Sequence, residues 1–301
     1  MRELVVLGTA SQVPTRTRNQ NGYLLRWDDQ GILFDPGEGT QRQMLHAGVA
    51  ATAITRICLT HVHGDHCFGL PGVLSRMALD GVPGPVEIHF PASGEDVVRG
   101  LVAAAGPPLG VLLRPHRRAG EVAPGLWVER LRHRTETYGY RLVEPDGRTM
   151  VRARLKEAGI RGADIGRLQR TGRLGSVRLE DVSVPRPGQR FALVMDTAVC
   201  DGAVALAEGA DLLVTESTYA ATEADLAERY LHLTAGQAGA LAAGGRARTL
   251  VLTHFSARYP DVAPLREEAA SVFAGEVVAV EDLQRVPVPK RREPPGEGRR
   301  S

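Results

Sequence analysis

Cysteine is scarce in this chain. Cys58, Cys67 and Cys200 are odd in number, widely spaced and without a CxxC pair, which excludes a disulfide framework. Long apolar runs are missing as well, since none approaches the roughly 18 residues needed to span a bilayer. The apolar stretch from Leu4 to Leu7 is too short for the core of a signal peptide, and no cleavage pattern follows it. A cytoplasmic protein is expected. Charge of one sign is also lacking: the net charge of +2 is too small to predict a nucleic-acid partner by itself. Lysine is nearly absent, with only Lys156 and Lys290 beside the arginines. The planar guanidinium suits phosphate, but a GC-rich genome produces the same bias, and composition is the simpler explanation.

What is present is ordinary for a soluble globular protein, with 43% hydrophobic and 24% charged residues. A chain of 301 residues buries roughly 75% of its unfolded surface. Any metal is therefore there for chemistry and not as a staple. Short apolar runs bounded by turn residues predict strands at 4–7, 23–27, 32–34, 57–60, 86–90, 138–143, 191–195, 212–216 and 249–253. Helices are expected around 38–47, 67–80, 94–105, 222–231, 235–244 and 261–273. The 222–231 piece opens with Thr222 and carries Asp225 three residues on, a start like a capping box. Strands come in two batches, each followed by helices, and layers of helix, sheet, sheet and helix would bury every apolar face. Two segments stand apart. Residues 151–188 are polar and rich in Gly and Arg, and read as a flexible arm outside the core. Residues 287–301 are proline-rich and charged, and read as a disordered tail whose arginines aid solubility.

The chemistry is concentrated in His61-Val62-His63-Gly64-Asp65-His66, directly after the strand at 57–60. Three imidazoles and a carboxylate in six residues suit a zinc-type site, with nitrogen and oxygen ligands. One loop cannot close two coordination shells, so further ligands must come from later strand ends. Asp196 and His254 each follow an apolar strand, and His133 ends a shorter alternating stretch. His46, His89 and His116 lack such a setting and are taken as non-ligands. The run Gly37-Glu38-Gly39 reads as a turn into a helix instead of a phosphate cradle.

These residues, with LGTASQVPTRTRN at 7–19, LFDPGEGTQRQML at 33–45, HRTETYGYR at 133–141, MDT at 195–197, LHLTAGQA at 231–238 and THFSARY at 253–259, resemble the ribonuclease Z family. That family comprises the transfer-RNA 3′-processing endonucleases of the metallo-β-lactamase superfamily. The similarity spans roughly residues 1–260. It implies an α/β fold, a four-layer αββα sandwich over residues 1–286 with the basic arm inserted. It also implies two zinc ions per chain, a precursor transfer RNA as substrate, and a homodimer. One zinc would be held by His61, His63 and His133, the other by Asp65, His66 and His254, with Asp196 bridging. Asp65 would also orient the attacking water or accept its proton, and Asp35 would brace the histidine loop. His232 is the implied general acid, protonating the leaving ribose 3′-oxygen, with Glu216 holding it charged. Arg154, Lys156, Arg161, Arg167, Arg170, Arg173 and Arg258 are the candidate RNA contacts.

This chain departs from the family pattern in two places. Met195 stands where glycine usually precedes the bridging aspartate and is expected to tighten the pocket. Gly162-Ala163 replaces a Gly-Pro motif in the arm. Two other readings stay open: a hydrolase of small phosphodiesters or sulfate esters, and a non-catalytic binding protein. The arginine-rich insertion speaks against the former, since a small substrate needs no remote basic arm. The filled ligand positions speak against the latter.

Overall fold

Alternation along each strand decides the layering. In the computed structural model, which describes residues 2–106 and 110–292, Leu4 and Val6 of β1 (Arg2–Gly8) face one core while Val5 and Leu7 face another. Successive side chains of a strand point to opposite faces, so a strand with both faces apolar must sit between two layers. The strands that follow are β2 (Gly22–Trp27), β3 (Gln30–Phe34), β4 (Arg56–Cys58), β5 (Val86–Pro91) and β6 (Val111–His116). After them come β7 (Gly120–Ala123), β8 (Leu126–Leu131) and β9 (Thr137–Val143), then β10 (Gly147–Met150), β11 (Arg173–Leu174), β12 (Val177–Arg178) and β13 (Ser183–Arg186). The last five are β14 (Arg190–Val194), β15 (Leu212–Glu216), β16 (Thr249–Thr253), β17 (Glu276–Ala279) and β18 (Arg285–Pro287).

Two seven-stranded sheets result, ordered β18-β1-β2-β3-β4-β5-β6 and β17-β16-β15-β14-β9-β8-β7. Residues from both sheets, among them Leu25, Phe34, Tyr140, Phe191 and Val214, form the core between them. The outer face of the first sheet packs Leu24, Leu33 and Ile57 against Met44, Leu70, Val73 and Met77, which lie on helices Thr40–His46 and Leu70–Leu79. The second sheet turns Ala192, Val194, Leu213 and Leu250 toward helices Asp201–Ala207, Ala235–Gly244 and Ala263–Val272. The order helix, sheet, sheet, helix matches the expected sandwich. Strands β3 to β6 run parallel, as do β14 to β17. Their carboxyl ends, the usual place for a site in α/β sheets, carry Asp35, the 61–66 loop, Asp196, Glu216 and His254.

Several expectations need correction. The strand read at 57–60 ends at Cys58, because the Asp35 carboxylate captures the Thr60 N–H and hydroxyl, each at 2.7 Å. Helix Ala224–Tyr230 begins after Glu223 without a side-chain cap, so Thr222 does not open a capping box. The true box is Thr234 with Gln237, at the head of Ala235–Gly244. The tail does not start at 287: Val286 and Pro287 pair with β1, and the Val288 N–H donates to the Arg2 carbonyl at 3.0 Å. Residues 293–301 lie outside the described residues.

The arm also has a core of its own. Residues 143–189, with 290–292, form a separate unit among the described residues. Leu155, Ile160, Leu168 and Val182 are buried there against Met150, Ile165, Leu174 and Val177. Helices Arg152–Glu157 and Ala163–Thr171 supply Leu155, Ile165 and Leu168, and β10, which carries Met150, pairs antiparallel with β13. Each helix is so short that its few apolar residues show no clear period among the arginines. Ala163 occupies the first helical position, where proline is favoured but not required. The missing Gly-Pro motif therefore leaves the helix intact. Within the same unit Arg291 pairs with Glu144, donating from Nη2 at 2.8 Å.

His89 and His116 are buried beside each other, ring centroids 5.6 Å apart. His116 Nε2–H donates to the Tyr140 hydroxyl at 3.0 Å, and that hydroxyl donates to the Leu59 carbonyl at 2.8 Å. Burial, reinforced by Arg56, pushes His89 down to about 4; burial, reinforced by His89, pushes His116 down to about 3. The unfolded chain takes up these protons near pH 6.5 and the folded chain does not, so stability is lost as pH falls below about 6.5. Each histidine contributes a slope of up to about 1.4 kcal/mol per pH unit. Urea titrations between pH 7 and 5 should show a shallower acid loss for His116→Asn than for the wild type. Parallel slopes would show that His116 does not carry the effect.

Candidate metal centre and active site

The 61–66 loop follows β4 by two residues and is wedged by its neighbours. A Cβ on Gly37 would lie 2.2 Å from the Asp65 carbonyl oxygen, so only glycine lets the 61–66 loop sit this close to the turn after β3. Asp35, Asp196 and His254 all have positive φ (43°, 31° and 58°), a conformation costly for residues with a Cβ. That cost is spent where three strand ends turn their side chains into one space.

Seven side chains meet there. His61, His63, His133 and Asp196 present ligand atoms all within 4.8 Å of one another, and Asp65, His66 and His254 form a second such group. Asp196 lies between the two groups. Its Oδ2 is 3.6 Å from His61 Nε2 and 3.7 Å from His133 Nε2, while Oδ1 is 3.1 Å from His254 Nε2 and 3.3 Å from His66 Nε2.

The outward ring nitrogens are held by other groups. His66 Nδ1 donates to Asp35 at 2.9 Å and His133 Nδ1 to the Leu231 carbonyl at 3.1 Å. His61 Nδ1 donates to the Thr60 hydroxyl at 3.0 Å, and His254 Nδ1 to the Thr218 hydroxyl at 2.8 Å. Each of these bonds fixes the tautomer that turns the Nε2 lone pair inward, the usual support for a ligating histidine. His63 instead turns Nδ1 inward, 2.9 Å from His61 Nε2.

These atoms fit a cation. Asp196 Oδ1 and His254 Nε2 are buried without a hydrogen-bond partner although they face each other at 3.1 Å. An acceptor nitrogen against a carboxylate oxygen is repulsive unless positive charge lies beside both. Burial, reinforced by His66, holds the His61 imidazole well below its usual value, and burial lowers His133 too. Burial opposes ionisation of Asp196 and Asp65, but His254 and His66 respectively lead the groups that override it and hold both carboxyls well below the usual range. Burial opposes a charge on His66, but Asp196 and Asp65 override it and push that imidazole well above its usual value. A divalent metal, whose ligands are neutral imidazoles and ionised carboxylates, would take the place of that proton.

Beside the cluster, His232 Nδ1 lies 3.0 and 3.1 Å from the two oxygens of the fully buried Glu216. The Thr197 N–H also donates to Glu216 at 2.7 Å, and the Thr218 hydroxyl donates to it at 2.5 Å. Burial works against a charge on His232, but the Glu216 carboxylate overrides it and pushes the imidazole up to about 9. The ring centroid of His232 is 5.1 Å from that of His133 and 5.6 Å from that of His254. A cavity of about 710 Å³ opens over His63, Asp65, His133, Asp196, His232 and His254. Phe68 and Val13 lie along its lining, with Tyr219, Tyr230, Arg134 and Arg258.

A sequence model of the metallo-beta-lactamase superfamily matches residues 15–140. Ribonuclease Z of Streptomyces avermitilis is 57% identical over 97% of this chain and 99% of its own. Ribonuclease Z of Salinispora arenicola is 55% identical over 97% of this chain and 98% of its own. The chain belongs to the ribonuclease Z family. The crystal structure of the short form of human tRNase Z superposes with a TM-score of 0.67 at 26% identity, covering 95% of this chain and 99% of that one. The metal centre of this family member is a divalent-metal site.

Other candidate residues are placed as follows. Met195 does not narrow the pocket, because it is fully buried in the core between the sheets. The strand alternation that turns Asp196 into the site turns its neighbour away. Arg258 borders the cavity but is engaged, donating to Glu223 at 2.6 Å and lying 5.5 Å from the Tyr219 ring. In the arm unit Lys156, Arg161, Arg167, Arg170 and Arg173 are exposed and Arg154 is half-buried. His46 is exposed, and His89 and His116 lie outside the ligand groups.

Sequence reasoning missed four supports. Asn21 Nδ2 lies 3.1 Å from His66 Nε2, the Gln12 N–H donates to Asp65 Oδ2 at 2.9 Å, and the Leu231 carbonyl holds His133. Thr218 links Glu216 to His254. Only Thr218 left a signal, standing two residues beyond Glu216 and so on the same side of an extended chain. Among the described residues no helix is long and apolar enough to cross a membrane.

Proposed function

We propose that this chain is an endoribonuclease that removes 3′ trailers from precursor transfer RNA, leaving a 3′-hydroxyl on the transfer RNA. The metals would be two zinc ions, one held by His61, His63 and His133 and the other by Asp65, His66 and His254, with Asp196 shared. Bound divalent metals supply Lewis acidity that brings the pKa of water from about 15.7 to about 7 and offsets charge on the phosphate. Asp65, steadied by the Gln12 N–H, would orient the attacking water and take its proton. The homodimer and the cytoplasmic location implied by the family belong to the same proposal. Sedimentation at twice the 32.4 kDa chain mass would support the former.

The observation that carries this reading is the His232–Glu216 pair beside the metal cluster. A ribose 3′-oxygen is a poor leaving group and needs a proton. His232 is charged at neutral pH, with Nδ1–H committed to Glu216 and Nε2–H left to donate. The direct test is to incubate the protein with a precursor bearing a 3′ trailer and map the cut. Cleavage at the trailer junction with a 3′-hydroxyl is expected, and an intact precursor would overturn the reading.

His232→Ala should slow that cleavage by roughly 10²–10⁴-fold, the usual range for losing a general acid. Its bound metal should not change. A nitrophenyl phosphodiester, whose leaving group needs no proton, should lose much less. Glu216→Gln removes the charge that raises His232 to about 9. Activity that requires the imidazolium falls as pH rises through its pKa, so the alkaline limb should move down toward about 6.5. An unmoved limb would show that Glu216 does not hold the proton.

A further inference from the structure

Phe68 breaks the pattern of its residue type. The other five phenylalanines are each 5% exposed or less, whereas Phe68 is 61% exposed. It follows helix Gly64–Cys67 directly and lines the cavity beside His63 and Asp65. The ring is also seated on a backbone that accepts it. A Cβ on Gly64 would come within 2.4, 2.7 and 2.8 Å of three Phe68 ring carbons. Glycine within the metal-binding loop thus makes room for an aromatic ring at the rim of the active site. Leaving a phenyl ring in water forgoes the burial that draws apolar side chains inward.

We propose that the Phe68 ring is the stacking platform for the first nucleobase of the trailer, immediately 3′ of the scissile phosphate. This rests on the endonuclease reading above. Every base has a π face, so stacking on an aromatic side chain is tolerant of sequence. A processing enzyme that meets many different trailers requires that tolerance. The side is assigned by the acid. His232 serves the leaving 3′-oxygen, which belongs to the last transfer-RNA nucleotide. Phe68 ends the helix that carries Asp65 and His66, whereas His232 lies in the turn between helices Ala224–Tyr230 and Ala235–Gly244, so the nucleotide on the Phe68 side is the trailer's. The His232 side carries its own aromatic and cationic groups: Arg134 lies 4.9 Å from the Tyr230 ring and Arg258 lies 5.5 Å from the Tyr219 ring. Phe68 has no cation stacked on it among the described residues, and its face is left to a base.

The test is a cycle of kcat/KM values for precursor cleavage. Wild type and Phe68→Ala are each measured on a precursor with an intact first trailer nucleotide, an abasic one, and one abasic instead at the last transfer-RNA nucleotide. Phe68→Ala should lose roughly 5- to 150-fold on the intact precursor, the range for one stacked base. It should lose nothing further when the first trailer base is absent, but should lose further when the transfer-RNA base is absent. Phe68→Tyr and Phe68→Trp should restore cleavage of the intact precursor. Additive losses at the trailer position would overturn the proposal while leaving the endonuclease reading in place. No cleavage by the wild type would overturn both. If Phe68→Ala alters the sedimentation of the protein, the ring belongs to an interface between copies and the proposal falls.

Discussion

Asp196→Asn should yield a folded protein that retains far less divalent metal and cleaves precursor at least about 10⁴-fold more slowly, because the Lewis acidity that activates water is lost. The side chain sits within 3.1–3.7 Å of four imidazole nitrogens from both ligand groups. No other carboxylate among the described residues serves both. Asparagine suits the test better than alanine. The backbone here has φ 31°, which asparagine tolerates better than most residues, and the amide keeps the shape while removing the charge. Five buried or partly buried imidazoles would then share the space with Asp65 as the remaining carboxylate. Metal analysis after dialysis, with circular dichroism to confirm folding, checks the expectation. Full metal content with near wild-type cleavage would show that Asp196 is not the shared ligand.

Excision of the arm should also slow precursor cleavage, by at least about 10²-fold through lost phosphate contacts, yet should spare a small phosphodiester. Residues 151–185 carry eight basic side chains against four acidic ones, while the whole chain has an excess of only two positive charges. Arg161, Arg167, Arg170 and Arg173 are exposed on this unit, where they can meet phosphates. Pairing of that kind releases counterions, so precursor affinity should fall steeply with salt. Without the arm, the slope of log K against log salt should shrink by about 0.9 for every duplex phosphate that the arm neutralises. The boundaries follow from the structure. β10 and β13 pair at the base of the unit, and the Glu144 N–H donates to the Gln189 carbonyl at 2.9 Å. A short Gly/Ser linker should therefore replace residues 147–186. Removing only 151–185 would delete all of β13 but Arg186 and leave β10 without its partner. If the armless protein processes precursor at physiological salt, recognition lies elsewhere. If both activities vanish with metal still bound, the unit is structural.

By itself the sequence determined the chemistry and most of the architecture. Three imidazoles and a carboxylate in HVHGDH have few uses besides a metal. Strands buried on both faces, such as LVVL and LLVTE, read as apolar runs because neither face meets water. The edge strands did not declare themselves: β6 alternates between partial burial and exposure along most of its length, and half-buried strands resemble loops. Only the tertiary structure decided the rest, because it depends on which segments become neighbours. His133 is held by a carbonyl 98 positions away, at Leu231, whose own φ of 59° turns the chain back toward the site. Met195 looked like a pocket residue until strand register put it in the core. The arm read as featureless because ten apolar side chains scattered over some thirty residues form a core only once two short helices and a strand pair fold together. Local composition reports what a residue can do; the neighbour it does it with is set by strand order and chain reversal.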